Sequence, residues 1–164
     1  SDMARHDPLT ATLNRKGLDE ALTREIAIMR RRETPLSVAL LDIDNFKRLN
    51  DNLGHESGDA ALVHLVNVVR GTLRAEDCLA RYGGEEFVIL MPDTVLDEGI
   101  KVMRRVQREL TKHFVMAGNE KVLITFSAGV AQFARQESGA DVINRADQAM
   151  YLAKRAGKNR VLGG

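Results

Sequence analysis

The chain has 164 residues, 44% of them hydrophobic, which suits one domain with a substantial core. A formal net charge of +1 excludes wholesale electrostatic attraction, so no nucleic acid polymer and no membrane contact by this domain are expected. No apolar run reaches membrane-spanning length, no signal peptide is visible, and Cys78 is the single cysteine, so a cytoplasmic, reducing setting is expected for this domain. That expectation leaves open a membrane anchor in a longer protein.

Asn14 is placed to cap a first helix running to Arg32, with Leu18, Leu22, Ile26 and Met29 at helical spacing and three arginines suiting the helix dipole. The apolar run 36–44 reads as a strand buried on both faces, with Asp42 and Asp44 on one face at its C-terminal end. Residues 45–52 read as a short helix ended by Gly54. A second long helix over 57–73 has Leu62, Leu65, Val66, Val69 and Leu73 as its buried stripe. Arg74 and Asp77 follow, both expected to face solvent.

Residues 81–90 read as a β-hairpin, with Gly83 and Gly84 supplying the positive φ of a tight turn. Alternation places Glu85 on the face of Phe87 and Ile89 and Glu86 on the other, so only one glutamate easily joins a single site. Thr94 is placed to cap a third helix over 95–114, whose basic face carries Lys101, Arg104, Arg105, Arg108 and Lys112. Residues 122–133 read as a strand, with Gly129 as a bulge or a point of close approach. The last helix spans 140–156, ended by Gly157, and 160–162 add a short edge strand.

A carboxylate at the end of a buried strand is costly to ionise without a cation nearby, and no basic residue adjoins Asp42 in sequence. Asp42 from the strand and Glu85 from the hairpin could together hold Mg²⁺, which prefers few protein carboxylates and shares its other positions with water and phosphate.

Several segments carry a family resemblance. Gly83-Gly84-Glu85-Glu86-Phe87 resembles the signature of the GGDEF family of diguanylate cyclases, in its GGEEF form. Arg74-Ala75-Glu76-Asp77 looks like that family's RxxD inhibitory motif. Asp42-Ile43-Asp44-Asn45-Phe46-Lys47 and the run from Asn50 to Asp59 resemble its DxDxFK and NDxxGHxxGD segments. Ala146-Asp147, Met150-Tyr151, Lys154 and Gly157-Lys158-Asn159 match its closing pattern, and the likeness runs from Asp7 to about Val161. The chain departs from the pattern at Ala11, where glycine is frequent, at Leu13, where proline is frequent, and at Lys158, where arginine is frequent.

The resemblance implies an α+β fold, with a central, mainly antiparallel five-stranded sheet flanked by helices in a ferredoxin-like palm. It implies a diguanylate cyclase that condenses two GTP into cyclic di-GMP, releases two pyrophosphates, and works as a homodimer with one GTP per subunit. Asp42, Glu85 and the backbone carbonyl of Ile43 are implied as metal ligands for two Mg²⁺ per active site, with Mn²⁺ able to substitute. Glu85 is also implied in deprotonating the attacking hydroxyl. Asn50 and Asp59 are implied at guanine, where a carboxylate can accept from N1–H and the exocyclic amine. Phe46, Lys47, Lys154 and Lys158 are implied at the phosphates. Arg74, Asp77 and, from a neighbouring domain, Arg105 are implied as a site for inhibition by cyclic di-GMP. A single GGDEF domain over 1–164 is expected, with 1–6 a leader or tag remnant and the whole excised from a longer sensory protein. Alternative readings are a module that binds GTP or cyclic di-GMP without turnover, and a mononucleotide cyclase or polymerase-like transferase.

Overall fold

β1 (Leu36–Ile43) is the central strand, and all eight of its residues are buried. The structure, a computed structural model, describes residues 4–164. β1 pairs antiparallel with β3 (Glu86–Pro92) on one side and β6 (Phe126–Gln132) on the other. β2 (Cys78–Arg81) lies antiparallel outside β3, and β7 (Val161–Gly163) lies parallel outside β6, giving the order β2-β3-β1-β6-β7. The α+β class and five-stranded, mainly antiparallel sheet read from the sequence are therefore present.

A strand alternates its side chains, so β1 serves two cores at once. Val38 and Leu40 pack with Leu18 and Leu22 of α1 (Arg15–Arg32) and with Ile143 and Met150 of α5 (Gly139–Arg155). Ala39, Leu41 and Ile43 pack on the opposite face with Leu62, Leu65 and Val69 of α3 (His55–Thr72) and Met103 and Val106 of α4 (Leu96–Leu110). Leu40 and Leu41 are essentially inaccessible, and burying each contributes about 2 kcal/mol. Helices on both faces thus hold the strand rigid up to its acidic end.

Local signals explain several boundaries. The Asn14 side chain accepts from the Gly17 amide and caps α1 as expected. Ser138 and Asp141 form a reciprocal capping box at the start of α5. Gly129 is a point of close approach: a Cβ there would collide with the Ala146 carbonyl and the Met150 amide of α5. Gly157, at φ 127°, takes the chain out of α5.

Three expectations fail for identifiable reasons. Thr94 does not cap α4; its hydroxyl donates to the Pro92 carbonyl, and the Gln132 side chain accepts from the Leu96 amide instead. α4 stops at Leu110, because Val115 and Ala117 are buried on either side of exposed Met116, a strand alternation. β4 (Val115–Ala117) and β5 (Glu120–Val122) form a separate hairpin around Gly118, at φ 64°. The strand read over 122–133 is consequently two: residues 123–125 carry the chain from this hairpin back to the main sheet. Of the expected leader, Ser1, Asp2 and Met3 lie outside the described residues, whereas the Arg5 carbonyl accepts from the Asn14 amide and His6 bridges to Leu13.

Candidate active site

Asp42 is the penultimate residue of β1 and only 6% exposed. Pairing places Glu86 of β3 and Ser127 of β6 directly across from it. One carboxylate oxygen, Oδ2, accepts from Lys154 Nζ of α5, while Oδ1 is buried with no hydrogen-bond partner among the described residues. The basic partner missing from the local sequence is therefore supplied from 112 positions away. Burial pushes the Asp42 carboxyl above the usual aspartate range; Lys154 pulls it down without cancelling that push, and Glu85 and Asp44 add to it.

Glu86 is raised as well, first by burial and then by the charges of Asp42 and Asp147. Register sets Glu86, not Glu85, directly across from Asp42, while the charge of Glu85 still adds to the upward push on the Asp42 carboxyl. Asp44 has a different fate. Its carboxylate accepts from Thr125 Oγ1, Ser127 Oγ and the Asn159 amide at 2.7, 2.6 and 2.9 Å, so it ties the end of β1 to β6 and to the loop after α5.

The hairpin turn between β2 and β3 occupies residues 82–85. Gly83 and Gly84 do not have positive φ, contrary to expectation. What they omit is bulk: a Cβ on Gly84 would meet nothing within 4 Å, so the tip stands open to a ligand or a second molecule. The Tyr82 and Gly83 amides both donate to the Glu86 carbonyl and close the turn, while the Ile43 amide donates to the Glu85 carbonyl at 3.4 Å.

On the far side of β1, Asn45 adopts a left-handed conformation and starts α2 (Phe46–Leu53) without a side-chain cap, leaving the first-turn amides of α2 for other acceptors. Its Oδ1 accepts instead from Lys158 Nζ at 2.7 Å. Phe46 is half-buried and Lys47 exposed. Asn50 carries a second buried, unpartnered oxygen, Oδ1, seated against Gly58, where any Cβ would strike it. Asp59, the next residue of α3, is exposed. Asn50 Oδ1 thus lies against Gly58, the residue just before Asp59, near the α2–α3 junction.

Arg74 and Asp77 close a turn before β2. The Arg74 amide donates to Asp77 Oδ2 at 2.9 Å, and its guanidinium reaches Asp77 Oδ1, the Pro92 carbonyl and Thr94 Oγ1. The expectation that both face solvent is corrected for Asp77, whose side chain is only 2% exposed. Arg105 is exposed on α4, in a cleft with His64, Gly71 and Glu109, apart from the cleft that Arg74 and Asp77 share with Ala11, Arg70 and Leu73.

Among the described residues, no three His, Cys, Asp or Glu side chains converge as a metal cage. The donor set fits a hard cation that keeps water or phosphate in most of its positions, and the orphaned Asp42 Oδ1 is the atom such a cation would satisfy. The sequence left unread the register that sets Glu86 against Asp42, as well as Asp147 and the Lys154 bridge. Only the pairing of β1 with β3 and the docking of α5 reveal them.

Fold and site together define a palm-like α+β domain with an acidic strand end beside an acidic, glycine-tipped hairpin. The chain belongs to the GGDEF family: the family model described as "Diguanylate cyclase, GGDEF domain" matches residues 4–160. It is 44% identical to the diguanylate cyclase DgcP of Pseudomonas aeruginosa, over 94% of this chain and 23% of that protein. It is 37% identical to the diguanylate cyclase DosC of Escherichia coli, over 98% of this chain and 36% of that protein. The chain therefore spans about a quarter to a third of the length of these relatives. In structure it resembles the GGDEF domain of DgcB from Caulobacter crescentus, solved in complex with c-di-GMP, with a TM-score of 0.93, 36% identity, and coverage of 98% of this chain and 95% of that one. Among the described residues, no helix is long and apolar enough to cross a membrane.

Proposed function

We infer that this domain is the catalytic GGDEF unit of a longer cytoplasmic or membrane-anchored protein. It condenses two GTP into cyclic di-GMP and releases two pyrophosphates. The observation that carries this reading is Asp42: a buried carboxylate with one oxygen on Lys154 and the other unsatisfied, held beside the glutamates of an open hairpin. Buried acceptors without partners are rare, and a bound cation is one of the arrangements that explains them.

Asp42, Glu85 and the Ile43 carbonyl would hold Mg²⁺, two ions per site with Mn²⁺ as a substitute, which when bound neutralise charge on the departing pyrophosphate and lower the pKa of the attacking 3′-hydroxyl. Lys154 is already at the acidic cluster and pairs with phosphate once a cation takes over Asp42. Lys158, Phe46, Lys47 and the uncapped start of α2 line the neighbouring approach for phosphate oxygens. At the α2–α3 junction, Asn50 Oδ1 and the exposed Asp59 carboxylate accept from guanine, whose edge offers two donors where adenine offers an acceptor at N1. Each domain presents one such site on an open surface, so turnover needs two domains face to face as a homodimer. Product binding at Arg74 and Asp77, bridged to Arg105 of a second domain, would hold the two sites apart.

The test is incubation with GTP and Mg²⁺ followed by chromatography of the products. Cyclic di-GMP, with activity per protein rising with concentration, is the expected result. Unchanged GTP with retained binding would replace this reading with a receptor, and cyclic GMP with a mononucleotide cyclase.

A further inference from the structure

Arg81, the last residue of β2, is spent on two groups that no other part of the site explains. Its Nη2 and Nε donate to the Gly84 carbonyl at 2.8 and 3.2 Å. Its Nη1 donates to both carboxylate oxygens of Asp7, at 3.3 and 3.2 Å. The guanidinium therefore bridges the tip of the signature hairpin to the N-terminal segment, 74 positions earlier in the chain. Both partners are largely shielded, with side chains 21% and 16% exposed.

The anchor is itself rigid. Burial opposes ionisation of Asp7, but the amide and hydroxyl of Thr10, together with Arg81, outweigh it and hold the carboxyl below the usual range. The Asp7 amide and carbonyl bond to Thr12 and Ala11 and close the turn. Leu13 then joins β2 through the Leu79 carbonyl and the Arg81 amide, and Arg15 donates to the Tyr82 carbonyl while lying 3.9 Å over its ring. Arg70 of α3 holds the Ala11 carbonyl at 2.9 Å.

The consequence falls on Glu85. Its preceding peptide plane is held by Arg81 through the Gly84 carbonyl, and its following one by the Ile43 amide through its own carbonyl. Two glycines before it give the chain no side chain with which to fix itself. We propose that Arg81 is a positioning residue: clamped by Asp7, it orients the Gly84–Glu85 peptide so that Glu85 stands toward Asp42 and the reacting groups. This rests on the cyclase reading above. It also makes the N-terminal segment part of the catalytic apparatus: Leu13 ties this segment to the backbone of β2, and Arg81 is the side chain that carries the link on to the Gly84 carbonyl beside Glu85.

Lysine is the informative substitution. It keeps a charge for Asp7 but lacks the planar fork needed to serve Asp7 and Gly84 together. In the whole domain with GTP and Mg²⁺, Arg81→Lys should lower kcat by about 10²-fold, the scale expected for a misplaced group, with KM changed less than about threefold. Asp7→Asn should give a smaller loss in kcat, and the double variant should be no worse than Arg81→Lys, because the two act as one unit. Hydrogen exchange of the peptide covering residues 82–86 should quicken by about tenfold in Arg81→Lys, while the amides of β1 and β3 keep their protection. A kcat within threefold of the parent's, a loss confined to KM, or unchanged exchange at the tip would each overturn the proposal. If the parent itself makes no cyclic di-GMP, the cyclase reading falls and the exchange measurement alone decides the clamp.

Discussion

The pairing of Lys154 with Asp42 can be broken without touching the fold's core, and the cost can be worked out. Removing one partner of a fully buried ion pair costs about 3–5 kcal/mol, because the other charge is left unpaired. Here the Asp42 side chain is 9% exposed but that of Lys154 is 34% exposed, so solvent already screens one side. For Lys154→Met we therefore expect a loss of about 2 kcal/mol at pH 7. In a chain of this length that lowers Tm by about 4–8 °C.

The pH dependence carries the sign. The Asp42 carboxyl is raised in the folded state, so its ionisation opposes folding, and the domain gains stability as pH falls through that raised value. Lysine limits this penalty. Without it the carboxyl rises further, and the variant's deficit should shrink toward about pH 4, where a protonated Asp42 no longer needs an ammonium. Mg²⁺ should stabilise the variant at lower concentration than the parent, since no lysine competes, reaching about 2.7 kcal/mol at a hundredfold excess over Kd. Urea unfolding followed by circular dichroism, across pH and Mg²⁺ concentration, measures all three. A deficit independent of pH, together with no differential effect of Mg²⁺, would refute the reasoning.

Glu85→Gln should abolish turnover while retaining most GTP affinity by calorimetry, because the proposed guanine and phosphate contacts lie elsewhere; near-normal product formation would remove Glu85 from the reaction. Asp59→Ser should weaken discrimination between GTP and ATP in competition assays, from the roughly 10⁴-fold available to a hydrogen-bonding site toward tenfold or less, and unchanged preference would make Asp59 only a helix residue. Arg74→Ala should lose cyclic di-GMP binding. It should also lower Tm, because its guanidinium supports the Pro92 carbonyl and Thr94; product binding as tight as the parent's would place inhibition elsewhere.

The sequence exposed what depends on local chemistry. The Asn14 cap, the buried run of β1, the stripe of α3 and the glycine that ends α5 are each decided within a few residues. It concealed what depends on register or docking. Nothing near Asp42 names Glu86 as its neighbour, because that follows from how β1 slides against β3. Nothing near Lys154 says that its ammonium reaches β1. Thr94 looked like a cap because threonine caps helices, but Arg74 and the Pro92 carbonyl compete for its hydroxyl, and Gln132 takes the helix amide. The β4–β5 hairpin did have a local signal in Gly118-Asn119, which suits a tight turn.

Asp42 and Asp44 show most directly why position in a motif does not settle role. They share a residue type, a strand end and a face, and they differ in what surrounds them. Asp44 receives three donors and has little left to offer; one of them, the Asn159 amide, is delivered by a loop in which Lys158 and Asn159 both take left-handed conformations. Such conformations cost about 1 kcal/mol or more each, and the charge-assisted bond to Asp44 helps offset them. The same loop brings Lys158 to Asn45, so Lys158 and the start of α2 are held by the loop that secures Asp44. Asp42, one position inside the strand, receives only Lys154 among the described residues and keeps its other oxygen buried without a partner. One aspartate is spent on building the site, and the other is left available to it.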